Sequence, residues 1–364
     1  MYIRTVPSTH LVSFITPNIS ANDYNDLQLI PTSSNTVFTL LITTNSPPPK
    51  MHRAQVNNWS EGPRYTAVEE LPAPSEGQLQ LRVLAAGLHQ VIRSRAAGGH
   101  YSARELPHIV GLDCVGRHEP TGKLYYVLSL KPGFGTYAER INVDKKSAYL
   151  LPDGVDPARF AASLNPAMSS WMAITQRTEN LPKDFTVLIL GATSGSGRLA
   201  ARAARELGAG KVIGVARNAA TLERLDGLDE RIVLRDPVTE TDFSKLVDSE
   251  APDVILDYVY GEAAVHLLSS IDADKPVQYV MIGGLSGQTA LPVPSVLLRS
   301  YDLTIRGAAP GAWRVSALAE ELPALVEKTA SWELLEAQTV PLKDIEKAWN
   351  DKELARKGRI VFIP

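Results

Sequence analysis

The sequence predicts an α/β fold: a doubly wound parallel sheet preceded by a smaller, mostly β domain. Three observations carry this. Apolar runs at residues 187–190 (VLIL), 211–216 (KVIGVA), 253–259 (DVILDYV) and 277–284 (VQYVMIGG) alternate with helix-like segments. That alternation is the pattern of parallel strands joined by crossover helices. The first run breaks abruptly into small residues and passes straight into a helix-forming stretch, 198–207. Upstream, from about 51 to 150, the chain reads as short strands cut by glycine and proline, with residues 79–84 largely alternating apolar and polar.

Taken in order, residues 1–50 differ from the rest. They are rich in Ser, Thr, Asn and Pro, and end in Ser46-Pro47-Pro48-Pro49-Lys50. A disordered extension, a weak targeting peptide and translation upstream of the true start are the competing readings. Targeting is disfavoured because only Arg4 supplies positive charge. Residues 37–42 (VFTLLI) form a stray strand candidate. After the β-rich segment and the four apolar runs, residues 340–364 supply a short helix near 345–349 and a strand at 359–363. This last piece is expected to return to the first domain.

The turn after the first run is the most informative local feature. Ala192, Thr193, Ser194, Gly195, Ser196 and Gly197 stand between a buried strand and a helix N-terminus. Small residues there let backbone N–H groups approach a pyrophosphate, and the helix dipole favours its charge. Packing alone also produces such turns, so the repeated strand–helix context carries the dinucleotide reading. The second strand ends Val215-Ala216-Arg217-Asn218, with no carboxylate to bind the ribose hydroxyls. Arg217 offers a planar fork suited to a 2′-phosphate, with Asn218 beside it, which points to NADPH. A solvated loop arginine is the competing reading.

Composition excludes other classes. Net charge is −3 with both signs interspersed, and no basic block argues for nucleic acid. No apolar run is long enough to cross a bilayer. The single cysteine, Cys114, excludes an internal disulfide framework and fits a reducing, cytoplasmic compartment.

From about Met51 onward the chain resembles the zinc-independent quinone oxidoreductases of the medium-chain dehydrogenase/reductase superfamily. The segments that carry the resemblance are Ala85-Ala86-Gly87-Leu88-His89 with Arg93 and Tyr101; PHIVGLDCVG at 107–116; Gly135-Thr136-Tyr137-Ala138-Glu139; Leu151-Pro152-Asp153-Gly154; the turn at 192–197; and Gly358-Arg359-Ile360-Val361. Their order and spacing together are specific. Ser194 departs from the usual glycine, and the link from Gly116 to Gly135 is short. The resemblance implies a GroES-like catalytic domain at 51–160 and 310–364, and a Rossmann domain at 161–309. It also implies NADPH-dependent reduction of a small-molecule quinone, enone or similar conjugated carbonyl, and a homodimer. An enoyl reductase and a non-catalytic NADPH-binding or redox-sensing protein are the alternatives.

The resemblance also bears on metal. One cysteine cannot make a four-cysteine structural zinc site. At the positions of the catalytic zinc ligands stand His89, Leu112 (followed by Asp113) and Asn165, which do not make a zinc shell, so no metal is expected. His89, Asn165 and Tyr101 are then the candidates for contacts to the substrate oxygen. Each has a bland counterpart: a backbone-satisfied histidine, a helix N-cap before Pro166, and a packed phenol. Ser169 and Ser170 stand where the family carries a small hydroxyl residue facing the cofactor. Gly283 and Gly284 end the fourth strand, where backbone meets the nicotinamide. Arg356 is either a phosphate contact or a surface arginine.

Overall fold

The fold is seen in a computed structural model, which describes residues 5–7, 27–31, 37–42, 50–100 and 102–364. Contacts divide the chain into two units, Met1–Lys50 and Met51–Pro364. In the first, β1 (Thr5–Pro7), β2 (Leu27–Pro31) and β3 (Val37–Ile42) form an antiparallel sheet ordered β1-β3-β2. The stray strand read at 37–42 is β3.

The larger unit begins with β4 (Lys50–Val56), β5 (Arg64–Glu69), β6 (Gln78–Gly87), α1 (Gln90–Ala96), β7 (His108–Ile109), β8 (Asp113–Arg117), β9 (Leu124–Leu128), β10 (Arg140–Asp144) and β11 (Ala148–Leu150). The long helix α2 (Pro157–Arg177) follows. Asp156 caps it by accepting from the Ala158 and Arg159 amides, and Pro157 sits in its first turn, where a missing N–H costs nothing. Helix α2 therefore starts well before Asn165 and carries Pro166 in its interior. The helix-cap reading of Asn165 is corrected by this: the Asn-Pro pair looked like a start signal, but Asp156-Pro157 is the start.

Next come β12 (Thr186–Leu190), α3 (Gly195–Glu206), β13 (Lys211–Ala216), α4 (Ala219–Glu223), β14 (Glu230–Val233), β15 (Val254–Asp257), α5 (Glu262–Ser270), β16 (Val277–Met281), α6 (Ser295–Ser300) and β17 (Leu303–Gly307). The six strands form one parallel sheet in the order β14-β13-β12-β15-β16-β17. The order reverses between β12 and β15, which is where a Rossmann sheet opens a ligand crevice at its carboxyl edge. Every residue of β12 and β15 is buried, as expected for central strands covered on both faces.

Helix α7 (Val315–Ala330), β18 (Ala337–Pro341), α8 (Ile345–Ala348), α9 (Lys352–Lys357) and β19 (Arg359–Ile363) close the chain. Strand β19 pairs with β6 and β18 in a seven-stranded sheet ordered β11-β9-β8-β6-β19-β18, with β10 also on β6. The last strand thus joins the sheet begun by the N-terminal half of this unit.

Glycine and small-residue motifs set the close contacts. Gly135 presses on the strand ahead of β8: a Cβ there would lie 2.6 Å from the carbonyl oxygens of Ile109 and Val110. Its neighbours then reach across, Thr136 to the Asp113 carbonyl at 2.8 Å and Tyr137 to the Gly87 carbonyl at 2.8 Å. Gly135→Ala is expected to lower stability by about 2 kcal/mol or more, as overpacking against backbone does. Gly62→Ala, where the nearest atom is 3.7 Å away, is the near-neutral control. Urea unfolding of both variants is the measurement; equal midpoints would refute the packing account.

Candidate functional site: the carboxyl edge of the parallel sheet

Strand β12 delivers the chain to Gly191, whose φ of +97° suits only glycine at low cost. The Gly191 and Ala192 amides remain tied to the Val215 carbonyl of β13, at 2.8 and 3.1 Å. Helix α3 then packs back so tightly that a Cβ on Gly197 would collide with the Gly191 carbonyl. Ser194 caps the helix, its Oγ accepting from the Gly197 amide at 3.0 Å. Acceptance leaves the hydroxyl proton of Ser194 available to a ligand. The amides of Thr193, Gly195 and Ser196 donate to no described group. Three free donors on the positive end of a helix make an anion site.

Arg359 completes it. This residue opens β19 and lays its guanidinium over the turn: a Cβ on Gly195 would lie 3.0 Å from Arg359 Nε and 3.2 Å from Nη2. Nη2 also reaches Ser196 Oγ at 3.4 Å. Burial lowers the Arg359 pKa from its ordinary value, and no described carboxylate pairs with it. Sequence reasoning named Arg356 instead. Arg356 is exposed on α9 in an ion pair with Glu353, and two residues separate it from the arginine at the turn. Only the crossing of β19 beside α3 distinguishes the two, and a single sequence does not display that crossing.

Further along the same edge, Arg217 follows β13, is exposed and has no described partner. Asn218 caps α4 through the Thr221 amide at 2.9 Å. The Leu234 amide bonds the Ala216 carbonyl at 2.9 Å, so the chain leaves β14 at the same edge as β13, and Arg235 follows there, exposed. Arg235 was missed because the short, charged strand that positions it, β14, gives no apolar run.

Across the switch point lie Tyr258, Gly283 and Gly284. Gly283 donates to the Asp257 carbonyl at 3.1 Å, and its missing Cβ makes room for the Tyr258 backbone. Gly284 has open space around it. Tyr258 was also missed. Its hydroxyl lies 3.4 Å from Ser169 Oγ, and burial pushes the phenol up to about 12, so it stays protonated. Ser169 bonds the Pro166 carbonyl at 2.6 Å. Ser170 is buried and bonded to the Ala167 carbonyl, and its hydroxyl, like that of Ser169, also interacts with Tyr258.

Helix α2 connects this edge to the first active-site segment. Residues 161, 165 and 169 are spaced i, i+4, i+8 and share one face, with about 6 Å between successive members. Ala161 at one end presents its carbonyl to Gly87, on the side where the His89 ring also lies; Ser169 at the other approaches Tyr258. Asn165 lies between them, half-buried, with no described side-chain hydrogen bond. Tyr101 lies outside the described residues. His89 is buried, and a carboxylate rather than backbone groups partners it: Nε2 lies 3.2 Å from Asp113 Oδ2.

Among the described residues no group of three His, Cys, Asp or Glu is arranged to hold a metal ion. Burial and Arg95 push the His108 imidazole down to about 4. Cys114 is buried, with its thiol pKa raised by burial and by Asp113. His118 is half-buried, its Nδ1 2.8 Å from Thr121 Oγ1.

No protein-family model matches the chain. A probable NADPH-dependent quinone reductase of Emericella nidulans is 34% identical over 359 aligned residues, taking in 86% of this chain and all of that protein. A quinone oxidoreductase of Sus scrofa is 31% identical over 155 residues, 40% of this chain and 46% of that one. The solved quinone oxidoreductase of Thermus thermophilus, also determined in complex with NADPH, shares the fold at a TM-score of 0.67 and 23% identity, over 86% of this chain and all of that one. On its motifs, its fold and its likeness to the Emericella nidulans protein, the chain belongs to the quinone-oxidoreductase-like branch of the medium-chain dehydrogenase/reductase superfamily.

Proposed function

We propose that this protein is an NADPH-dependent quinone reductase that works without zinc. The observation that carries the cofactor is the unpaired Arg359 guanidinium over three free amides at the α3 N-terminus. That arrangement suits a pyrophosphate. Arg217 and Arg235 suit the 2′-phosphate that distinguishes NADPH from NADH. Tyr258, Ser169 and the 283–284 backbone then border the nicotinamide. The name borne by the Emericella nidulans relative favours quinones over enones and favours turnover over simple nucleotide binding.

The bound dinucleotide supplies hydride. A quinone accepts it readily because the product ring is aromatic, so the oxygen needs hydrogen-bond donors rather than a Lewis acid. His89, Asn165 and Tyr101 are assigned that task. Residues 51–160 and 310–364 serve as the catalytic domain and 161–309 as the cofactor domain. No helix among the described residues is long and apolar enough to cross a membrane, and we assign the enzyme to the cytoplasm. A homodimer would form along β17, the open edge of the parallel sheet, where Val296, Leu298 and Ile305 are exposed.

Two arginines separate the phosphates experimentally. Arg217→Asp is expected to weaken NADPH binding about 10- to 100-fold and NADH binding far less, since a charge-assisted contact gives way to repulsion. Arg359→Gln is expected to weaken both cofactors alike. Fluorescence titration reads both; equal losses at Arg217 would remove it from the 2′-phosphate.

The reaction itself is read as loss of NADPH absorbance with simple benzoquinones and naphthoquinones. Dialysis against a strong chelator should leave the rate unchanged. Tight NADPH binding without oxidation would favour the non-catalytic alternative, and a chelator-sensitive rate restored by zinc would overturn the metal-free chemistry.

A further inference from the structure

Nδ1 of His89 and Oδ1 of Asp113 are buried and have no hydrogen-bond partner among the described residues. Their counterparts are engaged. His89 Nε2 lies 3.2 Å from Asp113 Oδ2, and the same oxygen accepts the Tyr126 hydroxyl at 2.9 Å. His89 and Asp113 are 3% and 0% exposed. An ionised carboxylate only accepts, so the imidazole donates to it from Nε2. This sets the ring's orientation and leaves Nδ1, itself buried, as the ring atom without a described partner.

The surrounding backbone is built around that pose. The His89 ring and the Ala161 carbonyl fill the space a Cβ on Gly87 would need. Tyr137 holds the Gly87 carbonyl, and Thr136 holds the Asp113 carbonyl. A buried, unsatisfied atom on a side chain held this firmly calls for an explanation beyond packing.

We propose that His89 is the proton donor of quinone reduction, acting through Nδ1, and that Asp113, pinned by Tyr126, is the positioning residue that orients it. The proposal rests on the quinone reductase reading and adds the source of the proton. Reduction to hydroquinone takes two electrons and two protons. Hydride from the dinucleotide brings both electrons and one proton. The other proton passes from Nδ1 of the imidazolium to a quinone oxygen: the N–H bond breaks, the O–H bond forms, and the ring is left neutral with Nε2 still protonated. Water restores the proton after product leaves.

The groups facing this pair are Cys114 on β8, Tyr126 on β9, Tyr137, and Arg93 and Arg95 on α1. Burial raises the pKa of Cys114, Tyr126 and Tyr137, so all three stay neutral. Arg93 is drawn to the Trp349 carbonyl and ring, and Arg95 to the Gly111 carbonyl. Asp113 Oδ2 is met by both the His89 ring and the Tyr126 hydroxyl.

Side-chain nitrogen NMR of the full chain without substrate, with His89 assigned by its loss in His89→Gln, tests the orientation. Nε2 is expected to remain protonated on both sides of the His89 titration. In Asp113→Asn the His89 nitrogen shifts should move, because the ring loses its carboxylate partner. With NADPH and a simple benzoquinone, His89→Gln should lower kcat about 100-fold and Asp113→Asn about 10-fold or more, each with less than about a 3-fold change in quinone KM. Tyr126→Phe keeps the carboxylate and should shift both readouts the same way by less; it serves if Asp113→Asn does not fold. Unchanged His89 nitrogen shifts in Asp113→Asn and Tyr126→Phe would overturn the positioning role, and full kcat in His89→Gln would overturn the donor role. Failure of the parent protein to reduce any quinone would sink the reductase reading and the donor role together, while the nitrogen shifts would still decide the orientation.

Discussion

A helix N-terminus and a guanidinium carry the same sign, and in this protein they face each other across Gly195. Neither has a described carboxylate to offset it. The frame holds them together regardless. Gly197 against the Gly191 carbonyl clamps α3 onto β12, while β19, which carries Arg359, is bonded between β6 and β18 in the other large sheet. Two sheets thus hold two like charges at a fixed separation. An anion entering there removes a repulsion and gains charge-assisted hydrogen bonds, of order 1.5–3 kcal/mol each. The same contact ties the cofactor edge to the sheet that carries the substrate segment, so the rest of the site is measured from it.

Helix α2 sets the other dimension. Ala161 meets the His89 segment and Ser169 meets Tyr258, about 12 Å apart along the axis. Hydride transfer needs donor and acceptor near van der Waals contact. A rigid helix fixes the distance between the groups assigned to the quinone oxygen and those bordering the nicotinamide. Pro166 lies within that span. Because it has no N–H, the Ala162 carbonyl loses its usual partner, and the Ser169 hydroxyl bonds the Pro166 carbonyl one turn later.

Legibility in the sequence followed burial. Strands β12 and β13, deep in the parallel sheet, showed as continuous apolar runs, and β13 and β19 began and ended where the sequence indicated. Strands β14 (ERIV) and β17 (LTIRG) were not read, because edge strands are half-exposed and mix charged with apolar residues. The phosphate turn was legible through its small residues. Arg359 was visible as part of the closing motif, but its role depends on which strand crosses α3. The start of α2 was misread at Asn165-Pro166, since a proline one residue past a polar side chain is a cap signal that Asp156-Pro157 satisfied first. The Asp113–His89 pair joins residues 24 apart, and nothing local announces it.

Stability does not account for Asp113. Removing a carboxylate from water costs several kcal/mol, and the two partners on one oxygen, His89 and Tyr126, seldom return more than that. Well-packed apolar side chains at His89, Asp113 and Tyr126 would fold at least as well. A buried polar network is justified on physical grounds when it holds one arrangement against others that packing would permit. Here the arrangement held is the orientation of an imidazole whose second nitrogen has no described partner. Quinone reduction asks for little else at this point. Its product is aromatic, so the oxygen needs a proton and a hydrogen bond more than a strong electrophile, and a histidine steadied by a carboxylate supplies both.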